Sequence, residues 1–151
     1  MIFFTREIHE GYQDKSGWTR AATAKAKRNH LLYKKYFRLI RPFLPASALA
    51  FGELPLHDCE LLGCKWQKGK LNMLLDTAGA FTRLPRRYLN IAFSGVIEKP
   101  RRLPRKGEWW YADEFHLGSR TKFVLHVGFT STEIEIPADE IKFKLSDSPS
   151  N

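Results

Sequence analysis

The stretch Leu56-His57-Asp58-Cys59, followed by Cys64, comes nearest in residue type to a chemical site. An imidazole, a carboxylate and two thiols suggest either a zinc centre or a Cys–His nucleophile. Structural zinc sites show a second tight pair of ligands, and none follows here, because His9, His30, His116 and His126 are scattered along the chain. No local signature marks either cysteine as a nucleophile. If both lie on one strand, their odd separation directs them to opposite faces, which disfavours a disulfide or a shared metal. His57-Asp58 is expected instead to open the first strand, its polar side chains satisfying nearby backbone groups. The acidic pairs Asp113-Glu114 and Asp139-Glu140 read as surface and turn residues with no acid–base assignment. Gly63, Gly69, Gly79 and Gly95 match no phosphate-cradling fingerprint. No catalytic residue, metal or cofactor is therefore expected, and function has to be sought in binding.

Two basic groups carry that expectation. Arg20, Lys27, Lys34 and Arg41 recur every seven residues, so on a helix they form a slowly drifting row, joined by Lys35, Arg28 and Arg38. No acidic residue interrupts the row. Ordinary solvated faces mix signs and gain from i,i+4 pairs, so a uniformly basic face points to a phosphate backbone or an acidic protein surface. The second group is Lys99 to Lys106, with Arg101, Arg102 and Arg105, followed by Trp109-Trp110-Tyr111. Cations beside aromatic rings suit single-stranded nucleic acid. Strand alternation puts Trp109 and Tyr111 on one face and leaves Trp110 on the other as an exposed anchor of the kind that makes interface hot spots.

The elements that must position these groups follow from periodicity. Thr5 to Tyr12 reads as a short helix capped by Thr5. Gly17 to Pro42 reads as one long helix, with Trp18, Ala22, Ala26, Asn29, Leu32, Tyr33, Tyr36, Phe37, Leu39, Ile40 and Phe43 on its apolar side. Arg41-Pro42 and Leu44-Pro45 end it, because a residue before proline is pushed out of the α region. From Leu54 the period changes to 2. Strands are expected over Asp58 to Gln67, Lys70 to Asp76, Tyr88 to Ile97, Trp109 to Leu117, Lys122 to Phe129, Glu133 to Ile136 and Ile141 to Leu145, with Lys68-Gly69 a tight hairpin turn. The prolines of the 99–107 segment keep it a loop. The fold class is α+β: a short and a long helix packed on an antiparallel meander of about six to seven strands. Helix-to-sheet packing is expected to be the main source of stability.

A chain of 151 residues that is 43% hydrophobic and 13% aromatic suits one folded domain, residues 1–146, with a disordered tail over 147–151. Its charge of +9 is unevenly placed. Residues 1–45 hold ten Lys or Arg against three Asp or Glu, residues 83–106 eight against one, and residues 107–151 four against eight. Such a polarised field steers a partner of opposite sign without naming it. Two cysteines are too few for a disulfide framework, and no segment has the length of a membrane span or secretory core. The cytoplasm is the default compartment.

The opening Phe4-Thr5-Arg6-Glu7-Ile8-His9-Glu10-Gly11-Tyr12-Gln13 resembles the start of a bacterial family of unknown function with a Phe-Thr-Lys/Arg-Glu opening. Leu56-His57-Asp58-Cys59 before a hairpin, Trp109-Trp110-Tyr111 and Phe123-Val124-Leu125-His126-Val127 resemble its sheet half. Small α+β proteins of this kind look similar to immunity proteins of toxin–immunity pairs, which occlude a toxin and perform no chemistry. The resemblance implies an acidic protein partner, such as a toxin domain, met by Arg20, Lys27, Lys34, Arg38, Arg41, Arg101, Arg102, Arg105 and Trp110. A nucleic-acid-binding module using the same groups is the alternative. The basic helix and the 99–106 loop are not features associated with that family, so its members need not share this partner.

Overall fold

The long helix is present as α1, Arg20–Ile40, in a computed structural model that describes residues 3–4, 20–80 and 82–149. The expected helix over Thr5 to Tyr12, and Trp18, lie outside the described residues. Pro42 ends α1 where expected: the chain tightens into a 3-10 turn, Arg41–Phe43, and Pro45 then caps a second helix, α2, Ala46–Phe51.

Seven strands follow: β1 (Glu60–Gln67), β2 (Lys70–Asp76), β3 (Tyr88–Ser94), β4 (Trp110–Leu117), β5 (Phe123–Phe129), β6 (Glu133–Ala138) and β7 (Glu140–Ser146). The α+β class and the strand positions agree with the sequence reading. The Lys68-Gly69 turn does too, with φ of 45° and 74°, the left-handed pair of a tight two-residue hairpin. His57-Asp58 does not open β1. It forms a turn in which Asp58 takes φ 68° and its amide donates to the Trp110 carbonyl at 2.8 Å.

The meander is the main correction to the expected topology. The strands form two antiparallel sheets, one ordered β1-β2-β3-β7 and the other β4-β5-β6. Alternation along β6 and β7 is the same whichever strand each one pairs with, so the pattern concealed the break. The change of sheet is made at Asp139, the single residue between the two strands. Its amide donates to Ser94 O at 2.9 Å, and its carboxylate accepts the Lys122 amide at 3.0 Å. A Cβ at Gly95 (φ 69°) would stand 2.3 Å from that carboxylate, so only glycine fits there.

The core lies between the two sheets. Leu71, Met73, Leu75, Leu89, Ile91, Phe93 and Ile141 come from one, and Phe115, Phe123, Leu125, Val127, Phe129, Ile134 and Ile136 from the other. Phe51 of α2 joins them, its ring 6.1 Å from Phe93 and 6.5 Å from Phe115. Among the described residues α1 contributes only Ile40 to the buried set. Sheet-to-sheet packing closed by α2 is therefore the larger source of stability, in place of the expected packing of the long helix on the sheet.

Candidate functional site

α1 rests on β4, an edge strand, through Tyr33 and Tyr36, while Phe37 and Ile40 of the same narrow stripe pack on the core. The Tyr33 hydroxyl accepts the Phe115 amide at 2.7 Å and so satisfies a backbone group that no neighbouring strand reaches. One edge strand covers only the stripe that faces it. Leu32, Leu39 and Phe43, assigned to the inward side by helical spacing, are exposed, as is Leu31; Leu39 is 73% accessible and Phe43 70%. Lys27, Arg28, Lys34, Lys35, Arg38 and Arg41 are exposed around them, and Arg20 stands at the head of the described helix. No Asp or Glu occurs between Arg20 and Phe43. The solvent face of α1 is thus an apolar strip set in positive charge.

Arg101, Arg102 and Arg105 are exposed, on a loop anchored by buried Pro100 and Pro104. The start of that loop and the free edge of β6 line a groove of about 530 Å³ that also carries Glu98, Glu133 and Glu135. β6 and β4 are opposite edges of the three-stranded sheet. The two basic groups therefore do not merge into one surface, and acidic side chains partly offset the loop. Trp110 is corrected outright. It is fully buried (0%), its ring 5.4 Å from Phe129, while Trp109 is 42% exposed. The pairing of β4 with β5 slips between Trp110 and Ala112, so Trp110 and Tyr111 both turn inward and strict alternation fails.

The acidic pair Asp113-Glu114, expected at the surface, is drawn inward. Glu114 is 0% exposed. Its Oε2 stands 3.1 Å from His116 Nε2, and His116 Nδ1 stands 3.1 Å from the Tyr36 hydroxyl. With Glu114 ionised and the imidazole neutral, Nε2 carries the proton and donates, and Nδ1 accepts from Tyr36. Scattered in sequence, His116 and His126 meet here with ring centroids 4.6 Å apart. Across the sheet Glu114 pairs in register with His126 and His126 with Glu135, whose carboxylate is 3.7 Å from His126 Nδ1. Burial holds His126 below its ordinary range, against the pull of Glu135. The spacing Glu114-x-His116 was the available signal, since i and i+2 share a strand face. Asp113 turns the other way, accepting from Trp110 Nε1 at 3.1 Å, and burial raises its carboxyl to about 6.

The thiol readings come to rest as well. Burial pushes both Cys59 and Cys64 up to about 12, leaving them protonated and poor nucleophiles at neutral pH. Among the described residues no group of three or more His, Cys, Asp or Glu could hold a metal ion, and no helix is long and apolar enough to cross a membrane.

With this geometry in place, comparison with known families adds one match. A family of proteins of unknown function, DUF4085, matches residues 3–138. The chain belongs to the DUF4085 family. No curated protein and no solved structure matches it. The DUF4085 stretch runs from Phe3, beside Glu114, through α1 and α2 to Ala138 at the end of β6, and so takes in both the long helix and the buried Glu114–His116 pair.

Proposed function

We propose that this DUF4085 protein is a non-catalytic binding protein that docks on an acidic protein through the solvent face of α1. The observation that carries this reading is the exposure of Leu31, Leu32, Leu39 and Phe43 among seven exposed cations, with no acidic residue in the helix. Several large apolar side chains exposed together within a rim of charge mark protein interaction sites. Phosphates reward the cations but gain little from exposed leucines, so the strip favours a protein over a nucleic acid. An immunity-type inhibitor that occludes a toxin domain is the specific form of the proposal, supported by the resemblance of the small α+β chain to such proteins. Lys27, Lys34, Arg38 and Arg41 would speed encounter and set selectivity, and Leu39 and Phe43 would supply the buried centre.

The test is coexpression with the product of the adjacent reading frame. The proposal expects a stable complex and rescued growth, both lost in Leu39→Asp with Phe43→Asp while thermal unfolding is unchanged. Absence of a complex, with growth indifferent to the chain, would sink the immunity reading. The alternative, single-stranded nucleic acid at the 99–106 loop, is favoured by exposed Trp109 beside Arg105 and Lys106. It expects affinity to fall linearly with the logarithm of salt and to weaken strongly in Trp109→Ala; no binding at low salt excludes it.

A further inference from the structure

The notch between α1 and β4 contains more recognition chemistry than seating a helix requires. Glu114 is fully buried on a face where neighbouring polar residues reach water, and its Oε1 accepts the amide of Phe3 at 2.8 Å together with that of Phe4. Asn29 Nδ2 donates to the Phe3 carbonyl at 2.7 Å. These three bonds read main chain: two consecutive amides and a carbonyl. The rings are read separately. Phe3 lies 5.5 Å from Tyr33, 5.6 Å from Tyr36 and stacked 6.4 Å from His116, while Phe4 meets Tyr33 edge-on at 5.4 Å and His30 at 6.3 Å. His116, fixed from behind by Tyr36, holds the second oxygen of Glu114. Taking a carboxylate out of water costs several kcal/mol unless it is matched by donors, and two of the matching donors come from residues more than a hundred positions away in sequence.

We infer that this notch is a peptide-binding site for a main-chain bend bearing two consecutive aromatic residues, and that its occupant is the chain's own Phe3-Phe4. The segment bridges α1, through Asn29, Tyr33 and Tyr36, to β4, through Glu114 and His116, and so acts as a latch on the helix. Because α1 meets the sheet through a single stripe, the latch supplies a second grip on its middle turns, from Asn29 to Tyr36. Its use in controlling the docking face rests on the function proposed above, but the site itself does not.

Two measurements on the full chain test it. In amide hydrogen exchange, Phe3 and Phe4 are expected to exchange at least about tenfold slower than in a free peptide. Glu114→Gln, which keeps the shape and removes the charge, should abolish that protection and speed exchange over residues 29–36, while Leu125 in the core stays protected. Fluorescent Met-Ile-Phe-Phe-Thr-Arg peptide should bind saturably to the Phe3→Ala/Phe4→Ala chain, about tenfold more weakly to the wild type, whose notch is filled, and not at all once Glu114→Gln is added. If Glu114→Gln loses Leu125 protection by unfolding, Asn29→Ala takes its place with the same expectation. Unprotected Phe3 and Phe4 amides in the wild type overturn the inference, as does equal peptide affinity for the wild type and the double variant, or no binding at millimolar peptide. Failure of the docking proposal would leave all these readings unchanged.

Discussion

The Tyr33 hydroxyl accepts the Phe115 amide at 2.7 Å and ties α1 to the open edge of β4. Burial raises the Tyr33 phenol well above its ordinary range, so the group is neutral at every physiological pH. Tyr33→Phe keeps the ring contacts and removes the acceptor, leaving an edge amide short of a partner. A loss of about 1–3 kcal/mol is expected, seen as a fall of several degrees in Tm and faster exchange of the Phe115 amide. An unchanged amide would mean the bond does not hold the helix.

Phe51 and Leu39 separate the two roles played by helical residues. Phe51→Ala empties the meeting point of both sheets and should cost about 3–5 kcal/mol in urea unfolding. Leu39→Ala, on the exposed strip, should stay within about 0.5 kcal/mol of wild type. A comparable loss at Leu39 would show that the solvent face of α1 is covered in the isolated chain, and the docking proposal would lose its surface.

Asp113 and Glu108 should pull pH-dependent stability in opposite directions. The Asp113 carboxyl is raised from 3.8 to about 6, chiefly by burial. As pH rises from about 4 to about 6, the unfolded chain loses this proton while the folded chain keeps it, so stability falls across that window. Asp113→Asn, whose amide oxygen can still accept from Trp110, should flatten the fall and raise Tm at pH 7. Glu108 is also buried, but bonds from the Arg105 amide, the Thr132 hydroxyl and the Ser131 amide outweigh burial and hold its carboxyl below the usual range. Its contribution is present above the ordinary carboxylate pKa and is lost as pH drops through the lowered value. Thermal melts from pH 3 to 8 on both Asn/Gln variants check the signs; a steeper fall in Asp113→Asn would contradict them.

Both thiols should be silent in the native protein. With Cys59 and Cys64 raised to about 12, a thiol-specific reagent at pH 7.5 should label neither on a timescale that labels free cysteine fully, and label both in denaturant. Rapid native labelling of either would show a thiolate that the structure does not place there.

Much of the fold was legible locally. Pro42 ended α1, Lys68-Gly69 could make only a tight hairpin, and alternation located every strand to within a few residues, because each of these depends on the backbone preferences of neighbouring residues. At the sites, local reading placed the cations on exposed faces but misplaced their neighbours. Trp110 was sent outward because period 2 assumes an unbroken ladder, and a slip between Trp110 and Ala112 reverses the side it faces. Leu39 and Phe43 were sent inward because helical spacing says which residues share a face, not how much of that face a neighbour covers.

The sequence by itself determined the secondary elements, the α+β class and the uniform charge of α1, since these follow from chain-local sterics, hydrophobic period and composition. Tertiary structure alone decided that β7 returns to β3, that Tyr36 of α1 reaches His116, and that Phe3-Phe4 closes on Glu114. Those contacts join residues tens to more than a hundred positions apart. Partners at that range are selected by which surfaces remain uncovered once the sheets have packed, and no residue's immediate neighbours carry that information.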